Sequence, residues 1–152
     1  MTPSDVPHLP TRKWLHHILP PWVGSSPNYF ITLCCDERTT NQLCTDPNGH
    51  ILLDAARHYH EGNKWYLHII LLMPDHLHAI VCLPPNEQLP RLIADFKKYT
   101  ARAAGIEWQK GFFEHRLRND ESLDEKLNYI AMNPVRKGLV DSPDKWPWVF
   151  RS

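Results

Sequence analysis

Residues Leu71 to Leu83 read LLMPDHLHAIVCL: an apolar run, a Pro-Asp break, and a second apolar run that carries two histidines. The break Met73-Pro-Asp75 is short enough to force an antiparallel hairpin, so Trp65 to Leu72 and His76 to Leu83 are predicted to be paired strands. Both faces of the two strands are largely apolar, which places them at the centre of a sheet covered on both sides. Alternate side chains of an extended chain share a face, so His76 and His78 project from the same side, the geometry of a bidentate metal grip. A chain with 10 histidines also produces such pairs without function, as strand histidines satisfied by their neighbours. A third ligand and a nucleophile on the same face would separate the two readings.

Outward from the hairpin, the segment Asn28-Tyr-Phe-Ile-Thr-Leu-Cys-Cys35 is β-branched and aromatic and is predicted to be the first strand. Leu52, Leu53, Ala56 and Tyr59 recur near helical spacing, which predicts a helix from about Gly49 to His60, stopped by Gly62 and Asn63. Leu92, Phe96, Tyr99 and Ala103 mark a second helix over Leu89 to Ala104, with Gly105 as its stop. Phe112 to Arg118 alternates as a fourth strand, and Ser122-Leu-Asp-Glu125 has the capping-box pattern that opens a third helix, expected to end by Pro134. The order is strand, helix, strand, strand, helix, strand, helix: an α+β fold with a ferredoxin-like βαββαβ antiparallel sheet and an additional C-terminal helix. Prolines at 3, 7, 10, 20, 21 and 27 block long regular elements, so residues 1–27 are expected to form an extended, proline-rich arm before a single domain over 28–152. The aromatic tail around Lys145-Trp-Pro-Trp-Val-Phe150 is expected to pack back on the domain, with its tryptophans in packing roles.

A length of 152 residues suits one compact domain. The formal net charge of zero announces no global positive field, so nucleic acid is neither supported nor excluded by charge alone. The four cysteines contain no CxxC pair, and Cys34, Cys35 and Cys82 lie in apolar runs, as small core residues do in a reducing compartment. The N-terminus has no apolar signal core and no run approaches the roughly 20 apolar residues of a membrane span, so a soluble, cytoplasmic protein is expected.

The third helix supplies what the histidines lack. Tyr129 and Asn133 stand four residues apart, and at about 100° per residue they lie within roughly 40° of each other on one face. Leu123, Leu127 and Ile130 form the apolar stripe, with Tyr129 and Asn133 on its flank. An Asn amide oxygen suits a hard divalent ion, and a phenol one turn earlier can attack a phosphodiester beside it and later be displaced by a DNA hydroxyl. The bland alternative for Tyr129 is a buried tyrosine hydrogen-bonded at its hydroxyl. Tyr99 is the rival nucleophile, but it keeps the spacing of its helix's apolar stripe and has no ligand-type residue one turn away.

These residues resemble the REP-associated tyrosine transposases, a branch of the single-tyrosine His-hydrophobic-His (HUH) transposases. The resemblance rests on YFITLCC, on MPDHLHAIV, on Phe96-Lys-Lys-Tyr-Thr-Ala-Arg102, on WQKGFFEHRLR from Trp108 to Arg118, and on Tyr129-Ile-Ala-Met-Asn-Pro-Val-Arg-Lys-Gly-Leu-Val140. It runs in order from about Tyr29 to Val140. It implies that His76 and His78 bind Mg²⁺ or Mn²⁺, that Asn133 takes the place of the third ligand, and that Tyr129 forms a 5′-phosphotyrosine link and releases a 3′-hydroxyl. It further implies binding of single-stranded DNA hairpins beside an unpaired guide, by single chains or by a homodimer sharing sites.

The basic residues Lys97, Lys98, Arg102, Lys110, Arg116, Arg118, Arg136 and Lys137 are candidate phosphate contacts, and His115 is a candidate for phosphate contact or proton transfer with a structural role as its alternative. Two other classes of function stay open: a catalytically silent or domesticated protein that binds structured nucleic acid without cutting it, and a small metallohydrolase using His76 and His78.

Overall fold

The computed structural model describes residues 19–152, so most of the expected amino-terminal arm lies outside the described residues. From Pro20 to Ser26 the chain is coiled into turns, and the Cys82 thiol reaches the carbonyls of Val23 and Ser26, tying this segment to the end of a central strand.

Five strands and four helices follow in the order β1 (Asn28–Cys34), α1 (Asn48–Glu61), β2 (Tyr66–Met73), β3 (His76–Cys82), α2 (Leu89–Ala104), β4 (Phe113–Arg116), α3 (Leu123–Ala131), a one-turn α4 (Asn133–Arg136) and β5 (Val149–Arg151). The sheet order is β4-β1-β3-β2-β5, antiparallel throughout. Its first four strands have the ferredoxin-like arrangement expected from the element order. The edge strand β5 was not among the expected strands. It forms because the tail runs along β2: Leu72 N–H donates to the Trp148 carbonyl and the Trp146 indole donates to the Leu72 carbonyl. The two tryptophans then fall on opposite sheet faces, each packed against a different core.

Those two cores explain why β2 and β3 are apolar on both faces. Leu77, Ala79 and Val81 of β3 join Ile31, Leu33, Leu67, Ile70 and Leu72 beneath α1 and α2. The opposite face carries Ile69, Leu71, Met73 and Ile80 and receives Leu127 and Ile130 of α3. A bulge makes this division possible. Leu67 pairs with Val81 and Ile69 with Ile80, so His68 is the extra residue, and Leu67 can share a face with Ile70 and Leu72.

Helix α2 presents Leu89, Leu92, Ile93, Phe96 and Thr100 to its core and ends at Gly105, whose φ of 70° is a left-handed cap. Tyr99, read as part of this stripe, is instead 52 % exposed, because the buried face turns through Thr100. At α3 the Ser122 side chain accepts from the Glu125 N–H, as the capping pattern predicts. The third helix ends at Ala131, before Pro134 as expected. The helix breaks at Met132, and Pro134 is accommodated in the first turn of α4, where a missing N–H costs nothing. Among the described residues, no helix is long and apolar enough to cross a membrane.

Candidate active site

The site is built on the sheet face that α3 covers. Register places His78 between Thr32 and Leu71, and His76 between Cys34 and Met73, so both imidazoles rise from the face that also holds Ile80 and Phe30. The two rings are 4.9 Å apart between centroids. Each is held by its Nδ1. His76 Nδ1–H donates to Asp75 Oδ1 at 2.8 Å, which leaves its Nε2 without a hydrogen-bond partner among the described residues. His78 Nδ1 is 2.9 Å from the Thr32 hydroxyl, and when Nδ1–H donates there its Nε2 is likewise free. The Phe30 ring stands edge-on to His78 at 5.6 Å and helps fix its plane.

Burial sets the protonation of His78. Desolvation first, then the charges of His76, Arg136 and Lys137, push the His78 pKa down to about 4, so the ring is neutral at physiological pH and able to ligate. Asp75 is raised by burial, but hydrogen bonds from Arg38 and His76 outweigh that effect and hold its pKa below the ordinary carboxylate value. Arg38 grips it through Nε at 3.0 Å, so an Arg38–Asp75–His76 chain backs the first imidazole. Thr32, Arg38, Phe30 and Asp75 were not identified from sequence. Asp75 adjoins His76 in the motif and was legible as a partner; Thr32 became one only through strand register.

Helix α3 lays Leu123, Leu127 and Ile130 on the histidine face, which fixes the direction of Tyr129. Tyr129 is 59 % exposed, and the Arg136 guanidinium lies over its ring, 4.0 Å from the centroid. Arg136 Nη2 also lies 3.4 Å from Asn133 Oδ1, linking the tyrosine to a buried amide. The same end of the chain is close enough to the histidines for Arg136 and Lys137 to perturb His78, and Lys137 shares a cleft wall with His76. The bland alternative for Tyr129, a buried tyrosine with a satisfied hydroxyl, does not describe this exposed ring. Among the described residues no group of three or more His, Cys, Asp or Glu that could hold a metal ion is gathered.

The basic candidates do not form one patch. Lys97, Lys98 and Arg102 ride on α2, across the sheet from the histidines, and Tyr99 is there too. Lys97 donates to the carbonyls of Gln109 and Gly111, clamping the loop that contains the exposed Lys110. Arg116 pairs opposite Tyr29, which packs on the α1 and α2 side, and Arg118 lies beyond the end of β4 beside Asp120. His115 pairs opposite Phe30 on the histidine face, but its Nε2 is 3.1 Å from both Glu121 carboxylate oxygens. Of these candidates, His115, Arg136 and Lys137 stand on the side of the sheet that carries His76, His78 and Tyr129.

Against known families, the family described as "Transposase IS200 like" matches residues 25–133. The chain belongs to the IS200-like transposases. Within them it belongs to the REP-associated tyrosine transposases. It is 32 % identical over 126 residues to the REP-associated tyrosine transposase of Escherichia coli K12, covering 79 % of this chain and 73 % of that one. To a candidate REP-associated tyrosine transposase of Haemophilus influenzae it is 31 % identical over 138 residues, covering 79 % and 77 %. Among solved structures, a REP-associated tyrosine transposase bound to a REP hairpin superposes with a TM-score of 0.71 at 25 % identity, covering 87 % of this chain and 81 % of that one. A candidate transposase from Deinococcus radiodurans, 18 % identical with a TM-score of 0.54 over 74 % of this chain and 94 % of that one, shares the fold. The candidate site lies on the antiparallel sheet of this shared fold.

Proposed function

We propose that this transposase is a divalent-metal-dependent strand transferase that nicks and rejoins single-stranded DNA at hairpin-forming, REP-like palindromes. The observation that carries the reading is the docking of α3 on the histidine face, which brings an exposed Tyr129, the Asn133 amide and Arg136 to the same side of the sheet as two imidazoles tethered by Nδ1. The hairpin substrate rests on the structural relative, which is bound to a REP hairpin.

The donor set fits Mg²⁺ or Mn²⁺, with two imidazoles, one buried amide oxygen and room for water and phosphate oxygens. His76, His78 and Asn133 would hold the ion, which when bound polarises the scissile phosphate. The residues do the rest. The Tyr129 phenol gives up its proton and its oxygen attacks phosphorus; the bond to the 3′-oxygen breaks, and that oxygen takes a proton as the free 3′-hydroxyl. A 5′-phosphotyrosine remains. In the joining step a DNA 3′-hydroxyl attacks the same phosphorus and the Tyr129 oxygen leaves, so the bond energy is conserved. Arg136, stacked over the Tyr129 ring, keeps the phenol from swinging into solvent and adds positive charge where negative charge develops.

The test uses labelled hairpin oligonucleotides with unpaired flanks, patterned on REP hairpins, in Mn²⁺. Wild type is expected to yield a covalent adduct on a denaturing gel, Tyr129→Phe none, and Tyr99→Phe the full amount. Hairpin binding with no adduct from wild type would replace this reading with a silent binding protein. Cleavage that survives Tyr129→Phe would point to a hydrolase built on His76 and His78.

A further inference from the structure

Glu121 is the last residue before the Ser122 cap of α3, and three groups converge on its carboxylate. Oε1 accepts the Arg118 backbone N–H at 2.6 Å, His115 Nε2 stands 3.1 Å from both oxygens, and the Lys126 ammonium is 3.5 Å from Oε2. The Glu121 side chain is only 13 % exposed. It joins three parts of the molecule: the edge strand β4 through His115, the connection that follows through Arg118, and the body of α3 through Lys126. His115, a candidate phosphate contact by sequence, is thereby engaged in this joint.

Elsewhere α3 is held without such direction. Leu123, Leu127 and Ile130 press on Ile69, Leu71, Met73 and Ile80, contacts that fix how close the helix lies but resist its rotation weakly. Charge-assisted hydrogen bonds are directional, and Glu121 supplies them at the amino-terminal end of the helix. Lys126 and Tyr129 are three residues apart and therefore neighbours on the helix surface, so the grip falls on the flank that carries the phenol. The Tyr129 ring is exposed, Arg136 lies over its face, and no described residue holds its hydroxyl. Its direction is inherited from the helix, and a misplacement of about 1 Å at a reacting group costs on the order of 100-fold in rate. We infer that Glu121 is a positioning residue for strand transfer: it fixes the rotation of α3 on the sheet and with it the direction of the Tyr129 hydroxyl.

The inference rests on the strand-transfer reading for its effect on rate, so one readout uses catalysis and one does not. In the first, single-turnover formation of the covalent adduct on the labelled hairpin in Mn²⁺ is compared with hairpin affinity, measured by fluorescence anisotropy in EDTA. Glu121→Ala is expected to slow the adduct about 10- to 100-fold while hairpin affinity stays within about twofold of wild type, with urea unfolding confirming a folded chain under assay conditions. Glu121→Gln still accepts from the Arg118 N–H but leaves Lys126 unpaired, so it is expected to lie between the two, and it carries the test if the Ala variant unfolds. In the second, fluorine NMR is recorded on the full chain labelled with fluorotyrosine, without metal or DNA, and Tyr129→Phe identifies the Tyr129 line. That line is expected to shift or broaden in both Glu121 variants. The inference is overturned if the line is unmoved, if adduct formation stays within about twofold of wild type, or if hairpin affinity falls as far as the rate. A wild type that forms no adduct removes the strand-transfer reading instead, and the fluorine line then decides whether Glu121 sets the direction of Tyr129.

Discussion

Removing the Asp75 carboxylate tests the proposed metal centre through a residue that need not touch the ion. In the folded chain Asp75 Oδ1 accepts the His76 Nδ1–H at 2.8 Å, and its other oxygen accepts from Arg38 at 3.0 Å. The carboxylate fixes the tautomer that leaves Nε2 as the ligand and makes that nitrogen more basic. Partners of this kind contribute about 10- to 100-fold to metal affinity. Arg38 already draws on the Asp75 charge, so Asp75→Ala is expected in the lower part of that range, about 10- to 30-fold, or roughly 1.4–2 kcal/mol. Asp75→Asn, which keeps an oxygen able to accept from Nδ1–H, is expected to fall between wild type and Ala. The assay is Mn²⁺ binding followed by the electron paramagnetic resonance signal of the free ion, with His76→Ala as the reference for a lost ligand. Fold stability is expected to change by less than about 1 kcal/mol, since the broken ion pair involves an Arg38 side chain that is 49 % exposed. If Asp75→Ala binds Mn²⁺ within about twofold of wild type while His76→Ala does not bind, the orienting role is refuted.

Three further outcomes are expected. Gly49→Ala would place a Cβ inside the van der Waals radius of the Trp148 ring, so despite its better helix propensity it should lower the urea-unfolding free energy by about 1–3 kcal/mol. Ser122→Ala removes the acceptor of the Glu125 N–H and should cost about 1 kcal/mol by the same measurement; no change would mean that α3 is held by its apolar face alone. The His68 pKa is pushed down to about 4 by burial first and by His60 second, so the unfolded chain takes up a proton below about pH 6.5 that the folded chain refuses. Stability from this residue is complete above pH 6.5 and is lost progressively toward pH 4, by up to the order of 3 kcal/mol. His78 acts in the same direction, so His68→Gln should flatten the acid limb of a stability–pH curve but not remove it, and an unchanged limb would contradict the shift.

Much of the framework was legible because its signals are local. The bounds of α2 coincide with those read from its apolar period and Gly105, and the β2–β3 hairpin follows from two apolar runs broken by Pro74-Asp75. The docking of α3 on the histidine face follows from the stripe of Leu123, Leu127 and Ile130. What escaped reading depends on register and distance along the chain. Strand β5 is three residues long and is created by β2, not by its own sequence pattern. The bulge at His68 leaves no mark in an apolar run. Thr32 becomes the partner of His78 only once β1 and β3 are aligned. The basic residues, neighbours in a linear reading, are divided by the thickness of the sheet because α2 and α3 lie on opposite faces.

That division also accounts for the mixed environment of the site. The face beneath α1 and α2 is apolar along its length and closed to chemistry. The other face is covered by α3, whose nine residues at 1.5 Å each span only about 14 Å. So short a helix covers Ile80 and Leu71, while the cleft opens beside His76 at the end of the hairpin. The candidate residues therefore stand on a boundary: His78 is desolvated against Phe30, while Tyr129 projects into solvent beneath Arg136. A longer cover would bury the tyrosine and bar a DNA strand, whereas none at all would leave His78 hydrated and free to protonate. The break at Met132 sets this length, and by turning the chain into α4 it places the buried Asn133 amide next to the exposed Arg136 guanidinium.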